Sequence, residues 1–186
     1  LEKLIADVPN GEPFFTTRNG KALERISAAE AARWVVHTQA YDPSGIRSGA
    51  VGDREVKGGK GYPIGPAWCG HLGLVWLKGK NFNETLLLNL VPADAGDLKG
   101  VPVTTEWDWC TWEVSTPETS ARGNYSRLDP KGTPRDLSIP RLLTWHSRRI
   151  KLIGDPSGVT SVVLAQGDKL APQQMQRYEP QSLWRY

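Results

Sequence analysis

The residues in this 186-residue sequence whose types and spacing could do chemistry are basic and glycine-rich rather than nucleophilic. The first group is Val56-Lys57-Gly58-Gly59-Lys60-Gly61-Tyr62. Glycine lets a backbone come close to a phosphate or a groove edge, and its amides then act as donors. The flanking lysines add attraction to phosphate. The competing reading is a solvated flexible loop, which composition alone favours. The second group is Pro13-Phe14-Phe15-Thr16-Thr17-Arg18-Asn19-Gly20. Two aromatics followed by hydroxyls, Arg and Gly can stack on an unpaired base and hold its phosphate. Taken alone, the run reads more simply as a Phe staple onto the core ahead of a helix. The strip Arg148-Arg149-Ile150-Lys151 alternates basic and apolar residues, so one strand face can meet either a phosphate backbone or water. Lys169 follows the same expected hairpin, where a lone lysine is usually only solvated.

Catalytic chemistry finds little support. His37, His71 and His146 are scattered, and Cys69-Gly70-His71 is half a metal site with no second pair at a suitable spacing. A phosphate-binding Gly-x-x-x-x-Gly-Lys-Ser/Thr loop and a Gly-x-Ser-x-Gly elbow are both absent. No two carboxylates are marked out as an acid and base pair. The expectation is a protein that is not an enzyme, with no metal and no cofactor. Two competing readings are a hydrolase using His71 or His146 and a protein-interaction piece anchored on Trp107, Trp109 and Trp112.

The elements that must position these groups read as α+β: mixed helices and short strands with a long Gly-rich basic loop over residues 45–71. Ser27-Ala28-Ala29-Glu30 is a capping box opening a helix that Tyr41-Asp42-Pro43-Ser44-Gly45 ends. Ala32, Val35, Val36 and Gln39 fall on its neighbouring turns. Leu72 to Lys78 reads as a strand. Asn83 caps a helix over Glu84 to Val91 whose Leu86-Leu87-Leu88 must be buried. Residues 93–138 yield no assignment, and Pro140 fits the first turn of a short helix. Arg148 to Gly154 and Val159 to Gln166 form two strands joined by the turn Asp155-Pro156-Ser157-Gly158.

Hydrophobic residues at 39% and charged residues at 23% are ordinary for a globular protein. A net charge of +3 permits nucleic-acid binding without demanding it. Two Cys give no disulfide framework, which suits a reduced, cytoplasmic setting. No apolar run approaches the ~20 residues that span a bilayer, and no signal peptide is present. The chain opens on Leu1-Glu2-Lys3-Leu4-Ile5, a helix-like phrase without an initiating Met, and reads as a fragment of a longer protein.

Several phrases together resemble the large subunit of the type I-E CRISPR Cascade complex, the CasA family. They are Glu2-Lys3-Leu4, Phe14-Phe15 with its polar loop, Ala31-Ala32-Arg33-Trp34 and Gln39-Ala40-Tyr41-Asp42-Pro43-Ser44-Gly45. Lys57-Gly58-Gly59-Lys60-Gly61, Glu84-Thr85-Leu86-Leu87-Leu88-Asn89-Leu90 and Leu143-Thr144-Trp145-His146-Ser147-Arg148-Arg149-Ile150 complete the set. Their order and spacing carry the match; residues 92–138 add little. The resemblance implies a non-catalytic, DNA- and RNA-binding subunit of an antiviral defence complex. It would recognise the short PAM in duplex DNA, contact the crRNA 5′ handle, sit among other Cascade subunits and support recruitment of the helicase-nuclease. It implies that Phe14, Phe15, Thr16 and Thr17 form the loop that contacts the handle. It further implies that Lys57, Gly58, Gly59, Lys60 and Gly61 enter the PAM minor groove, with Lys169 as a lysine finger in the same groove. Some members carry extra Cys for zinc here; this chain does not, so no zinc is expected. Residues 1–186 would then be a fragment of the N-terminal domain, with the strand-separating wedge and C-terminal helical bundle lying beyond them.

Overall fold

The computed structural model describes residues 1–14, 16–90, 110–113, 140, 143–168 and 181. The fold is α+β, and among the described residues helices pack beside two two-stranded antiparallel sheets.

The first residues supply core. Leu1 to Ile5 form one hydrogen-bonded turn, and Leu4, Ile5 and Val8 are buried with Ile26, Ala31 and Val159. A short 3-10 turn, Pro9–Gly11, and a one-turn helix α1, Lys21–Glu24, lead to α2, Ala28–Tyr41. Ser27 caps α2 by accepting from the Glu30 amide at 3.1 Å. Only half of the expected capping box forms, because the Glu30 carboxylate instead takes the Arg18 guanidinium and the Trp34 indole N–H. Asp42 ends the helix with extended ψ, as a residue before proline prefers. The buried stripe of α2 is Ala31 and Thr38, with Trp34 and Val35 packed beside them; Val36 is exposed.

The long hairpin forms as its alternation predicts. β3, Arg148–Asp155, pairs with β4, Gly158–Gln166, from Arg148↔Gln166 to Asp155↔Gly158, with a bulge at Ile153/Gly154. Asp155 Oδ1 accepts from the Ser157 amide at 2.8 Å to shape the turn. Gly158 sits at φ 143, and a Cβ there would lie 2.5 Å from the Ile26 carbonyl oxygen. That carbonyl accepts from Val159 N–H, and Ile26 N–H donates back, which docks the chain before α2 against β4.

The segment expected as a strand over Leu72–Lys78 is not one. Its first residue closes a short helix α3, Trp68–Leu72, while Ala67, Trp68 and Cys69 are buried. Further along, Val75 N–H donates to Gln181 O at 2.9 Å, and the Asn89 side chain takes both backbone groups of Leu77. It accepts from Leu77 N–H at 3.0 Å and donates to Leu77 O at 2.8 Å. The next helix, α4, runs Phe82–Leu88 and is capped by Asn81 rather than Asn83. Leu86, Leu87 and Leu88 are not buried as expected: Leu87 is 62% exposed, and Trp76, Leu77 and Phe82 are exposed near it in sequence. Thr111–Glu113 form a 3-10 turn, with Glu113 N–H donating to Cys110 O at 2.9 Å. Among the described residues no helix is long and apolar enough to cross a membrane.

Candidate nucleic-acid interface

The glycine-rich segment is built as a hairpin. β1, Arg47–Ser48, pairs antiparallel with β2, Lys60–Gly61. At the tip Lys57 and Lys60 exchange both backbone hydrogen bonds at 3.1 Å, leaving Gly58 and Gly59 as a two-residue turn. Their φ values, 57° and 73°, are left-handed at both positions, as a type I′ hairpin turn requires. A Cβ on either would meet nothing within 4 Å, so dihedral strain rather than crowding selects glycine here. Behind the tip, Gly49 N–H donates to Gly59 O at 3.0 Å, and a Cβ on Gly49 would strike that same carbonyl. Lys57, Gly58, Gly59 and Lys60 are exposed, whereas Gly61 is buried in the hairpin base. Arg54 adds exposed positive charge on the same loop.

A buried polar cluster holds that base. Gln166, at 0% exposure, donates from Nε2 to Gly45 O at 2.8 Å and Gly61 O at 3.3 Å. Arg148, at 1%, donates to the Asp42 carboxylate and to the carbonyls of Gly65 at 2.9 Å and Pro43 at 3.3 Å. Arg47 in β1 shares Asp42 Oδ2 at 2.6 Å. Gln39 on α2 clamps the Arg148 backbone at both N–H and C=O, each 2.9 Å. Burial pulls the Arg148 guanidinium below its ordinary value, and Asp42 pushes it back. A guanidinium stays charged under both influences.

The strip at Arg148-Arg149-Ile150-Lys151 is therefore not a phosphate-facing row. Arg148 is inside, Arg149 pairs with Asp168 at 2.8 Å, Ile150 packs on the core, and only Lys151 is exposed. The reason is that three carboxylate- and carbonyl-bearing segments close over the strand end. Lys169 lies outside the described residues. The chain leading to it is fixed: Gly167 N–H donates to Ser147 O, Asp168 N–H to His146 O, and the Trp145 indole to Asp168 O at 2.8 Å.

In the aromatic segment Phe14 is exposed and Thr17 is exposed; Phe15 lies outside the described residues. Thr16 Oγ1 accepts from Arg18 N–H at 3.2 Å. The Arg18 guanidinium is bound to Glu30 and to Ala22 O, so it serves the scaffold rather than a phosphate. This segment precedes α1 and is a separate surface element from the hairpin tip.

Among the described residues neither His37 nor His146 sits in an assembled catalytic group; the His71 side chain lies outside them. His37 lies between Trp34 and Tyr41 on α2, with ring centroids 5.5 and 5.3 Å away. Burial and Arg149 lower His146, keeping it neutral at pH 7. Among the described residues no three His, Cys, Asp or Glu side chains gather as a metal site. A cleft of about 410 Å³ opens between Lys3, Tyr41 and Arg47, but its cations are already engaged. Lys3 donates to Ser48 and Arg47 to Asp42. Sequence reasoning missed Asp42, Gln39 and Gln166 as parts of the site; the buried amide and carboxylate carry no local signature.

The family model for CRISPR-associated protein Cse1 matches residues 2–186. Among solved structures, Cse1 of Thermobifida fusca is 48% identical over 92% of this chain and 30% of its own, with a TM-score of 0.70. Cse1 of Acidimicrobium ferrooxidans is 28% identical over 95% of this chain and 30% of its own, with a TM-score of 0.63. CasA of Thermus thermophilus is 25% identical over 90% of this chain and 31% of its own, with a TM-score of 0.51. A comparison with curated proteins finds no match. The chain thus spans about 30% of the length of these solved relatives. With the ordered phrases, the matched fold and the family model all in agreement, the chain belongs to the CRISPR-associated protein Cse1 (CasA) family.

Proposed function

We propose that this chain is the PAM-reading part of the large, non-catalytic subunit of a crRNA-guided type I-E Cascade complex acting in the cytoplasm. The observation that carries the reading is the exposed Lys57-Gly58-Gly59-Lys60 turn on a buried polar base. Two glycines without Cβ atoms make a thin edge that fits a minor groove. Their amides lie outside the strand ladder and face acceptors on base edges, while Lys57 and Lys60 flank the phosphates. Minor-groove acceptors are shared between A·T and T·A, so the reading is permissive in sequence. Lys169 enters the same groove, and Phe14 to Thr17 contact the crRNA handle by stacking and hydroxyl contacts. Other Cascade subunits and the helicase-nuclease are the protein partners.

The test uses the full-length subunit in its guide-loaded complex, titrated with duplexes that carry or lack the PAM at two salt concentrations. Gly59→Asp and Lys169→Ala remove PAM discrimination while salt-dependent background binding remains. Survival of discrimination in both variants would place PAM reading elsewhere. A second reading, a protein-interaction module without direct DNA contact, is favoured by the exposed Trp76, Phe82, Leu87 and Trp112. It forecasts no salt-dependent duplex binding by the wild-type complex. Trp107 and Trp109, its other anchors, lie outside the described residues.

A further inference from the structure

We infer that α4 and the chain that enters and leaves it, residues 75–90, form a plug enclosed in an apolar pocket of the same subunit, built from its polypeptide outside residues 1–186. Nothing in this depends on the minor-groove reading. This chain spans about 30% of the length of the solved relatives, so most of a subunit of that length is available to cover it.

The stretch from Leu77 to Asn89 is built inside out. Its polar side chains bond its own backbone. Asn81 accepts from Glu84 N–H at 2.9 Å, Glu84 from Lys80 N–H at 2.6 Å and Thr85 from Gly79 N–H at 3.0 Å, while Asn89 holds both backbone groups of Leu77. A Cβ on Gly79 would lie 2.7 Å from the Glu84 side chain and from Thr85 N, so the loop packs tightly on α4. The apolar side chains are left outside. Phe82 is 76% exposed, and Leu86, Leu87 and Leu88 are each exposed by about half or more.

The distribution of those residues selects the occupant. At 3.6 residues per turn, neighbours on a helix stand about 100° apart, so Phe82, Leu86, Leu87 and Leu88 spread over an arc of about 240°. A helix resting on one flat partner needs an apolar stripe of little more than about 100°, whereas a helix apolar most of the way round belongs in an interior. The entering chain agrees. Val75, Trp76 and Leu77 are consecutive and all exposed, while a strand lying on a surface hides every second side chain; a continuous apolar run suits a place covered on both faces. Among the described elements none packs extensively on α4. Three of the four apolar residues of α4 are leucine, a residue under-represented among the hot spots of separable interfaces and common in permanent cores. Enclosure within one subunit closes this face to an outside protein, so Trp76, Phe82 and Leu87 then cease to favour the interaction-module reading.

The experiment uses the wild-type full-length subunit, as an isolated monomer and in its guide-loaded complex. Hydroxyl-radical oxidation of each side chain is read by mass spectrometry, relative to the same residue in the denatured subunit. Trp68 and Trp145, both buried, set the slow end of the scale. Trp76 and Phe82 oxidise as slowly as those two in the isolated monomer, and assembly slows them no further. A benzophenone photo-crosslinker at position 87 joins to a peptide outside residues 1–186; Leu90, also exposed, is the alternative position if the group at 87 impairs folding. Oxidation that slows only in the complex assigns the face to a neighbouring subunit, and slowing that appears only as the isolated subunit self-associates assigns it to a second copy. Either result overturns the inference. Fast oxidation in every state overturns it too, and so does a crosslink confined to residues 1–186, which shows this stretch covering itself.

Discussion

Replacing Gly58 by Ala and by Asn separates the folding of the hairpin tip from its use. Gly58 has φ 57°, and no atom lies within 4 Å of a Cβ built on it. Steric clash with the surroundings therefore contributes nothing, and the whole penalty of a side chain is its left-handed backbone. That penalty is about 1–2 kcal/mol for an ordinary L-residue such as Ala. Asn tolerates the same region, and Asn-Gly is the preferred pair for a type I′ turn, so Gly58→Asn keeps the tip. The assay is amide hydrogen exchange at Lys57, Lys60 and Gly49, whose N–H groups bond across the hairpin. A loss of about 1–2 kcal/mol speeds local exchange roughly 5–30-fold. Gly58→Ala shows that acceleration, while Gly58→Asn exchanges like wild type. In the duplex titration the order reverses in meaning: Gly58→Asn, folded but with a side chain on its edge, still loses PAM discrimination. Wild-type exchange in Gly58→Ala would refute the turn argument. Wild-type discrimination in a well-folded Gly58→Asn would refute close backbone approach at Gly58.

Other outcomes follow from the base of the hairpin. Asp42→Ala leaves the buried Arg148 guanidinium without its carboxylate and destabilises by about 3–5 kcal/mol, read as a shifted urea midpoint. Gly167→Ala forces a Cβ onto backbone at 2.2–2.5 Å that cannot rotate away, with an overpacking penalty of about 1–3 kcal/mol or more. His146 is pushed below its ordinary value of 6.5, so the unfolded chain binds its proton first. Its contribution is complete above pH 6.5 and declines as pH falls from there toward the lower folded value; His146→Gln flattens that part of a stability-against-pH curve. Asp168, raised by burial, acts in the opposite sense from 3.8 upward to its folded value, where stability falls as pH rises.

What the sequence revealed depended on how local the cause was. The β3–β4 hairpin and α2 were legible because their signals are contiguous: alternation around Asp155-Pro156-Ser157-Gly158, and Ser27 before a run ended by Pro43. The Leu72–Lys78 strand failed because Val75-Trp76-Leu77 has a strand's composition but its bonds go to scattered partners: Val75 N–H donates to Gln181 O, and Leu77 bonds the Asn89 side chain twelve residues on. The glycine loop was legible as chemistry but not as structure. Lys57-Gly58-Gly59-Lys60 is a hairpin turn signal, yet its strands are two residues each and vanish in a polar stretch. Arg148 was misread as surface because its partner Asp42 lies 106 residues away, and nothing near either one marks the pairing.

The burial of Arg148 bears on why the cluster exists. A buried ion pair returns little net stability, since desolvating two charges offsets most of their attraction. An apolar pair of similar size would hold β3 to α2 at least as well. What Arg148 and Gln166 supply that Leu or Met would not is direction: donors aimed at four carbonyls, of Pro43, Gly45, Gly61 and Gly65, which flank the hairpin on both sides. Hydrophobic contact would let a two-residue sheet slide, because it has no directional preference. Hydrogen bonds to both of its ends fix where its tip points, and on the proposed reading a thin glycine edge would have to meet a groove at a defined height and angle. The polar base is thus the part of the structure that holds a short, weak hairpin in place, as the proposed minor-groove reading requires.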